Sequence, residues 1–117
     1  IVLLPGTCSP INPKTIASTQ GGLFLANLLI ADDLEKAFEA LRLKGVPIVG
    51  TALKGAEDLD TFSASCDRGI ALVLGNEGRG ISDWVREHCT HLVRIPMHNM
   101  ESLNVGVAGG ILMHRFR

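Results

Sequence analysis

Short unbroken apolar runs alternate along this chain with segments whose apolar residues recur every three to four positions. Residues 1–4 (IVLL) form a continuous apolar run stopped by Pro5-Gly6, the pattern of a strand covered on both faces. Turn formers continue to Pro13. A short helix is predicted from about Lys14 to Thr19, closed by Gly21-Gly22. The run LFLANLLI, residues 23–30, is ambiguous between helix and strand and is read as a strand. The clearest helix follows. Asp32 or Asp33 can cap it, and Glu35, three residues after Asp32, resembles a capping box. Leu34, Ala37, Phe38 and Leu41 fall on one stripe. Lys44 sits in the last turn and Gly45 just beyond it, where a left-handed C-cap belongs.

Residues 46–53 (VPIVGTAL) read as the next strand, followed by a polar stretch through Asp67. Residues 70–75 (IALVLG) carry the strongest strand pattern. Ser82 can cap a short helix to about Cys89, with Val85 on it and Trp84 expected to pack it onto the sheet. Residues 91–96 (HLVRIP) read as a strand and residues 102–116 as a final helix, with Ser102 its expected N-cap. Strands separated by helices, and apolar throughout rather than alternating, predict an α/β fold with a parallel sheet flanked by helices. No internal repeat or low-complexity tract interrupts it.

Composition narrows the class. A length of 117 residues implies one domain with one core. Hydrophobic residues make up 46%, with 13 glycines besides, and charged residues 20%. The charged share lies below the usual ~25%, so the chain has enough apolar surface to offset the entropy of ordering, and disorder is excluded. No run of about 18 apolar residues occurs, so no transmembrane helix is expected. The opening run is too short and lacks the basic flank of a signal peptide. Beginning on that run without methionine, the sequence is expected to be a piece of a longer chain. The net charge of −1 predicts no chain-wide attraction to nucleic acid or acidic membrane. Cys8, Cys66 and Cys89 form no CxxC pair, so a reducing, cytoplasmic setting is expected rather than a disulfide framework. A mitochondrial or plastid address would have to lie upstream.

Two segments carry chemistry, both at strand ends. Gly75-Asn76-Glu77-Gly78-Arg79-Gly80 follows a buried strand. Three glycines in six residues let a ligand approach the backbone closely, and open α/β sheets bind ligands outside the carboxyl ends of strands. The loop has neither the Gly-Lys-Ser/Thr of a phosphate-binding loop nor the GxGxxG dinucleotide spacing. A plain glycine-rich turn is the alternative, although the Glu77 carboxylate serves no packing purpose there. The second segment runs Ile95-Pro96-Met97, then Glu101-Ser102-Leu103-Asn104-Val105-Gly106-Val107-Ala108. Asn104 in a first helical turn is hard to explain by helix propensity. Gly106, Gly109 and Gly110 weaken the helix, which predicts that another backbone passes close to it. His88, Cys89 and His91 form an H-C-x-H cluster, but no second ligand pair stands at zinc spacing and no metal is expected. His98 reads as a solvated loop histidine, and Cys8 and Cys66 as ordinary thiols.

LVLGNEGRGIS, IPM and ESLNVGVAGGIL, taken together, resemble the second and third signature motifs of the SpoU (TrmH-like) branch of the SPOUT superfamily of RNA methyltransferases. NPKTIASTQGGLF, residues 12–24, is similar to the stretch after that family's first motif. The resemblance implies a deep C-terminal trefoil knot, one of the few exceptions to the rule against threaded chains. It also implies methyl transfer from S-adenosylmethionine to a ribose 2′-hydroxyl of tRNA or rRNA, usually by a homodimer. By the same resemblance, Glu77, Ser102 and Asn104 match catalytic positions. Thr51, Leu53, Gly75, Asn76, Gly78, Gly80, Ile95, Met97 and Leu103 fall in loops that hold the cofactor, with no metal and no membrane involved. The first motif's asparagine, glycine and arginine have no counterpart and are expected upstream of Ile1. Gly106 stands where the family often has serine, and Arg79 at a position the family varies. Two other readings remain: a methyltransferase-like RNA-binding or scaffold subunit without catalysis, and an unrelated module using GNEGRG for phosphate.

Overall fold

Backbone hydrogen bonding in the computed structural model, which describes residues 1–67 and 69–117, builds two separate parallel sheets. They belong to two compact units, Ile1–Ala37 and Phe38–Arg117. In the first unit β1 (Val2–Leu3) pairs in parallel with β2 (Leu29–Ile30), Val2 opposite Leu29. Between them lies α1 (Pro13–Ser18), started by Pro13 at its first position and by Asn12, whose side chain accepts from the Lys14 amide at 2.9 Å.

The strand reading of residues 23–30 holds only for the last two. Gly21, with φ of 88°, turns the chain into one turn of 3-10 helix at Gly22–Phe24. Local bonds from Phe24 N to Gly21 O and from Leu25 N to Gly22 O then spend the backbone groups a strand would have used.

Helix α2 (Leu34–Leu43) is capped by Asp33 rather than Asp32: one Asp33 carboxylate oxygen accepts from Glu35 N and Lys36 N. It ends as the pattern predicts. Gly45 takes φ of 66°, and Val46 N returns to Leu41 O.

The larger sheet lies in the second unit. Its strands are β3 (Ile48–Thr51), β4 (Glu57–Asp58), β5 (Ala71–Val73) and β6 (His91–Arg94), in the order β4-β6-β3-β5 and parallel throughout. Val49 faces Leu72 on one side and His91 on the other. Strand β4 falls within the stretch read as merely polar. Two acidic residues carry no strand signal; the pairing depends on Leu59 N donating to Arg94 O and on an Asp58–Arg94 ion pair.

Every fully buried residue among those described belongs to this unit. The core joins Val49 and Val93 of the sheet to Leu59, Phe62 and Leu112. Phe62 meets His91 and Phe116 edge-on, at 5.4 and 5.5 Å between ring centres. Helix α3 (Asp83–His88) is capped by Ser82, as expected, and buries Val85. Its Trp84 meets Phe38 edge-to-face at 5.2 Å and stacks on His88.

Helix α4 (Val105–Arg115) departs from expectation twice. Its N-cap is Asn104, not Ser102: the Asn104 side-chain oxygen accepts from Gly106 N at 2.9 Å and Val107 N at 3.3 Å. The residue unexplained by helix propensity stands just outside the helix, where asparagine is favoured. Nor do the glycines of α4 admit a close backbone. A Cβ on Gly109 would lie 3.1 Å from the Leu74 side chain, one on Gly106 would meet only the Asn104 side chain, and one on Gly110 would meet nothing within 4 Å.

Candidate active site

Because β3, β5 and β6 run parallel, their carboxyl ends share one edge, and the loops leaving them at 52–56, 74–81 and 95–104 must share it too. They border a solvent-open cavity of about 530 Å³, within the range of small-molecule sites.

The middle loop is a closed knuckle. Asn76 and Gly80 exchange both backbone hydrogen bonds, at 3.1 and 2.8 Å, and the Asn76 side-chain oxygen accepts from Gly78 N. Gly75 is obligatory at its base. A Cβ there would lie 2.2 Å from the Gly80 carbonyl carbon and 2.4 Å from Ile81 N, so only glycine lets the returning backbone cross. The knuckle presents Glu77 toward the start of α4, and Asn104 Nδ2 donates to Glu77 Oε1 at 2.8 Å. One amide therefore caps the helix with its oxygen and holds the carboxylate with its nitrogen.

Thr51, Leu53, Gly75, Asn76, Glu77, Gly78, Gly80, Ile95, Met97, Ser102 and Leu103 all line the cavity. Asn104 does not line it but reaches it through Glu77. His98, by contrast, is absent from the wall.

The structure adds residues with no sequence signal. Lys54, Arg79, Arg86 and Arg94 stand around the cavity together with Glu77 and Glu101, so a chain of net charge −1 gathers a cationic excess here. These bases are scattered singly along the sequence, and only the loop geometry assembles them. Arg86 donates to the Lys54 carbonyl oxygen. Arg94 is tied to Asp58, and its hydrogen bond holds the Asp58 carboxyl below the usual aspartate range.

No group of three or more His, Cys, Asp or Glu among the described residues is placed to hold a metal. Within the H-C-x-H segment, His88 stacks on Trp84 and His91 packs on Phe62. The Cys89 sulfur lies against Gly50, where a Cβ would stand 2.7 Å away. Burial pushes the Cys89 thiol up, which suits packing rather than nucleophilic chemistry. Among the described residues, no helix is long and apolar enough to cross a membrane.

A family model described as the SpoU rRNA Methylase family matches residues 1–114. The 23S rRNA (guanosine(2553)-2′-O)-methyltransferase RlmP of Bacillus subtilis is 33% identical over 100% of this chain and 46% of its own length. The 23S rRNA (guanosine-2′-O-)-methyltransferase RlmB of Ralstonia nicotianae is 36% identical over 88% of this chain and 41% of its own. The chain thus spans less than half the length of these curated relatives. Among solved structures, an AdoMet-bound rRNA methyltransferase from Sinorhizobium meliloti superimposes with a TM-score of 0.88 at 28% identity, covering 99% of this chain and 44% of the other. The SpoU methyltransferase AviRb from Streptomyces viridochromogenes, in complex with AdoMet, gives 0.83 at 28% identity, covering 97% and 47%.

Proposed function

Because the chain belongs to the SpoU rRNA methylase family, we propose that it is the cofactor-holding part of an RNA methyltransferase. Its reaction is transfer of a methyl group from S-adenosylmethionine to a ribose 2′-hydroxyl of tRNA or rRNA. The observation that carries this reading is the cavity in which the three strand-end loops meet beside the Glu77–Asn104 hydrogen bond.

The wall suits that cofactor. Leu53, Leu74, Ile81, Ile95, Met97 and Leu103 supply apolar surface for a purine and a thioether chain. Gly75, Gly78 and Gly80 leave the knuckle's backbone open to direct contact. Thr51, Leu53, Gly75, Asn76, Gly78, Gly80, Ile95, Met97 and Leu103 would hold the cofactor, which when bound supplies a methyl group on a positively charged sulfur.

Glu77, Ser102 and Asn104 would orient the ribose. Asn104 fixes the Glu77 carboxylate so that its second oxygen can accept from a ribose hydroxyl. The Ser102 hydroxyl, at the cavity edge, can donate or accept. Orientation matters because methyl transfer depends on a near in-line approach, and a misplaced weak nucleophile is slow.

A trefoil knot and a homodimer belong to the same reading. Supporting the knot, α4 returns against Leu74 at Gly109 while Asn104 at its start grips the Glu77 knuckle, so the last segment engages the loop leaving β5. Supporting the dimer, Val107 and Ile111, one turn apart, are 52% and 38% exposed and form an apolar strip that a second copy would cover.

Calorimetric titration with S-adenosylhomocysteine, with ATP as control, tests the reading. Micromolar or tighter binding of the former alone is expected, abolished by Leu103→Asp. Equal affinity for ATP, or no change with Leu103→Asp, would overturn the assignment.

A further inference from the structure

We infer that Arg86 is a positioning residue that clamps the loop after β3 into the wall of the cofactor cavity; the inference rests on the proposed cofactor site. Arg86 sits on α3, which follows the Gly75–Gly80 knuckle. That helix is held in place by the Ser82 cap, by buried Val85 and by the Trp84–Phe38 contact. From this base its guanidinium reaches across the sheet edge and donates to the Lys54 carbonyl oxygen, 32 positions away in sequence.

The loop it meets is otherwise untied. Ala52 N donates to Val93 O. Beyond it, among the described residues, no hydrogen bond but that of Arg86 reaches Leu53, Lys54 or Gly55. Gly55 is shaped around the contact. It takes φ of +66°, and a Cβ on it would lie 2.7 Å from Arg86 Nη2. The positive φ favours glycine, and any side chain there would have to push the guanidinium away from the loop.

Leu53, Lys54 and Arg86 all line the cavity. The clamp therefore couples the loop that presents Leu53 to the segment that carries the glycine knuckle. Arg86 fixes that wall without needing to touch the ligand. A short loop with no other ties would otherwise have to be ordered by the ligand, at a cost in affinity. Arginine suits the position because its planar fork stays charged and can hold a carbonyl while lying against backbone.

Backbone 15N order parameters of the ligand-free chain and titration with S-adenosylhomocysteine, each on wild type, Arg86→Ala and Arg86→Gln, test the inference. At Leu53, Lys54 and Gly55 the order parameters are expected to fall from about 0.85 to below about 0.6 in Arg86→Ala while those of Gly75–Gly80 keep wild-type values. Affinity is expected to fall about tenfold or more in the same variant. Arg86→Gln, which keeps a short donor, should show the same pattern and serves if the alanine variant does not fold. Unchanged order at Leu53, Lys54 and Gly55 would overturn the clamp. Weaker binding with unchanged order would instead make Arg86 a direct ligand contact. Should wild type fail to bind S-adenosylhomocysteine, the cofactor reading falls, and the order parameters still decide the clamp.

Discussion

Asn104 does two jobs with one amide, and they can be separated chemically. Its oxygen caps α4 through Gly106 N and Val107 N, and its nitrogen holds Glu77. Asn104→Ala removes both and should cost about 1 kcal/mol of stability, the typical worth of an N-cap. Asn104→Asp can still cap, since carboxylates are good N-caps, but cannot donate to Glu77 and sets like charges together. Thermal denaturation should therefore place Asn104→Asp above Asn104→Ala in stability. Methyl transfer by the whole protein should fall in both variants, by tenfold or more. Full activity in Asn104→Asp would mean that the Glu77 hydrogen bond is dispensable. The sequence marked Asn104 as a residue needing explanation, yet propensity pointed to Ser102 as the cap. The two positions are nearly equivalent as local signals, and what separates them is where the extended segment after β6 ends, which depends on its packing.

At the scale of elements, the parallel sheet converts separate segments into neighbours. Strand β4 shows what that requires. It is two residues long and polar, and it sits at the sheet edge held by β6 and by the Asp58–Arg94 pair. Arg94 holds the Asp58 carboxyl below the usual range, so the pair contributes stability that is present above the ordinary aspartate pKa and is lost as pH falls through the lowered value. The difference in melting temperature between wild type and Asp58→Asn should accordingly be small but measurable at pH 6 and should close as acidification protonates the Asp58 carboxyl. A difference that persists in acid would assign the role of Asp58 to packing or strand pairing. Periodicity made β3, β5, β6 and α2 legible because each buries an apolar run or stripe. Strand β4 was hidden because its partner, not its own side chains, makes it a strand.

At the scale of the molecule, Val107 and Ile111 leave α4 with an exposed apolar strip. In the proposed dimer this strip is the seam, so Val107→Glu should leave a monomer whose stability falls by no more than a few tenths of a kcal/mol, the usual range for surface changes. Light scattering across a concentration series checks this, and a wild-type chain that is monomeric at high concentration would remove the interface.

By itself the sequence determined most of the succession of strands and helices and marked the loops that come to line the cavity. Buried runs, caps and closely spaced glycines are local properties, and the GNEGRG and SLNV segments carry their meaning in adjacent residues. Only the tertiary structure decided which distant groups meet. The Glu77–Asn104, Lys54–Arg86 and Asp58–Arg94 contacts join residues 27, 32 and 36 positions apart, and no local signal marks such pairs. The first two form where parallel strands deliver successive loops to one end of the sheet, and the third because Asp58 and Arg94 stand opposite each other on β4 and β6.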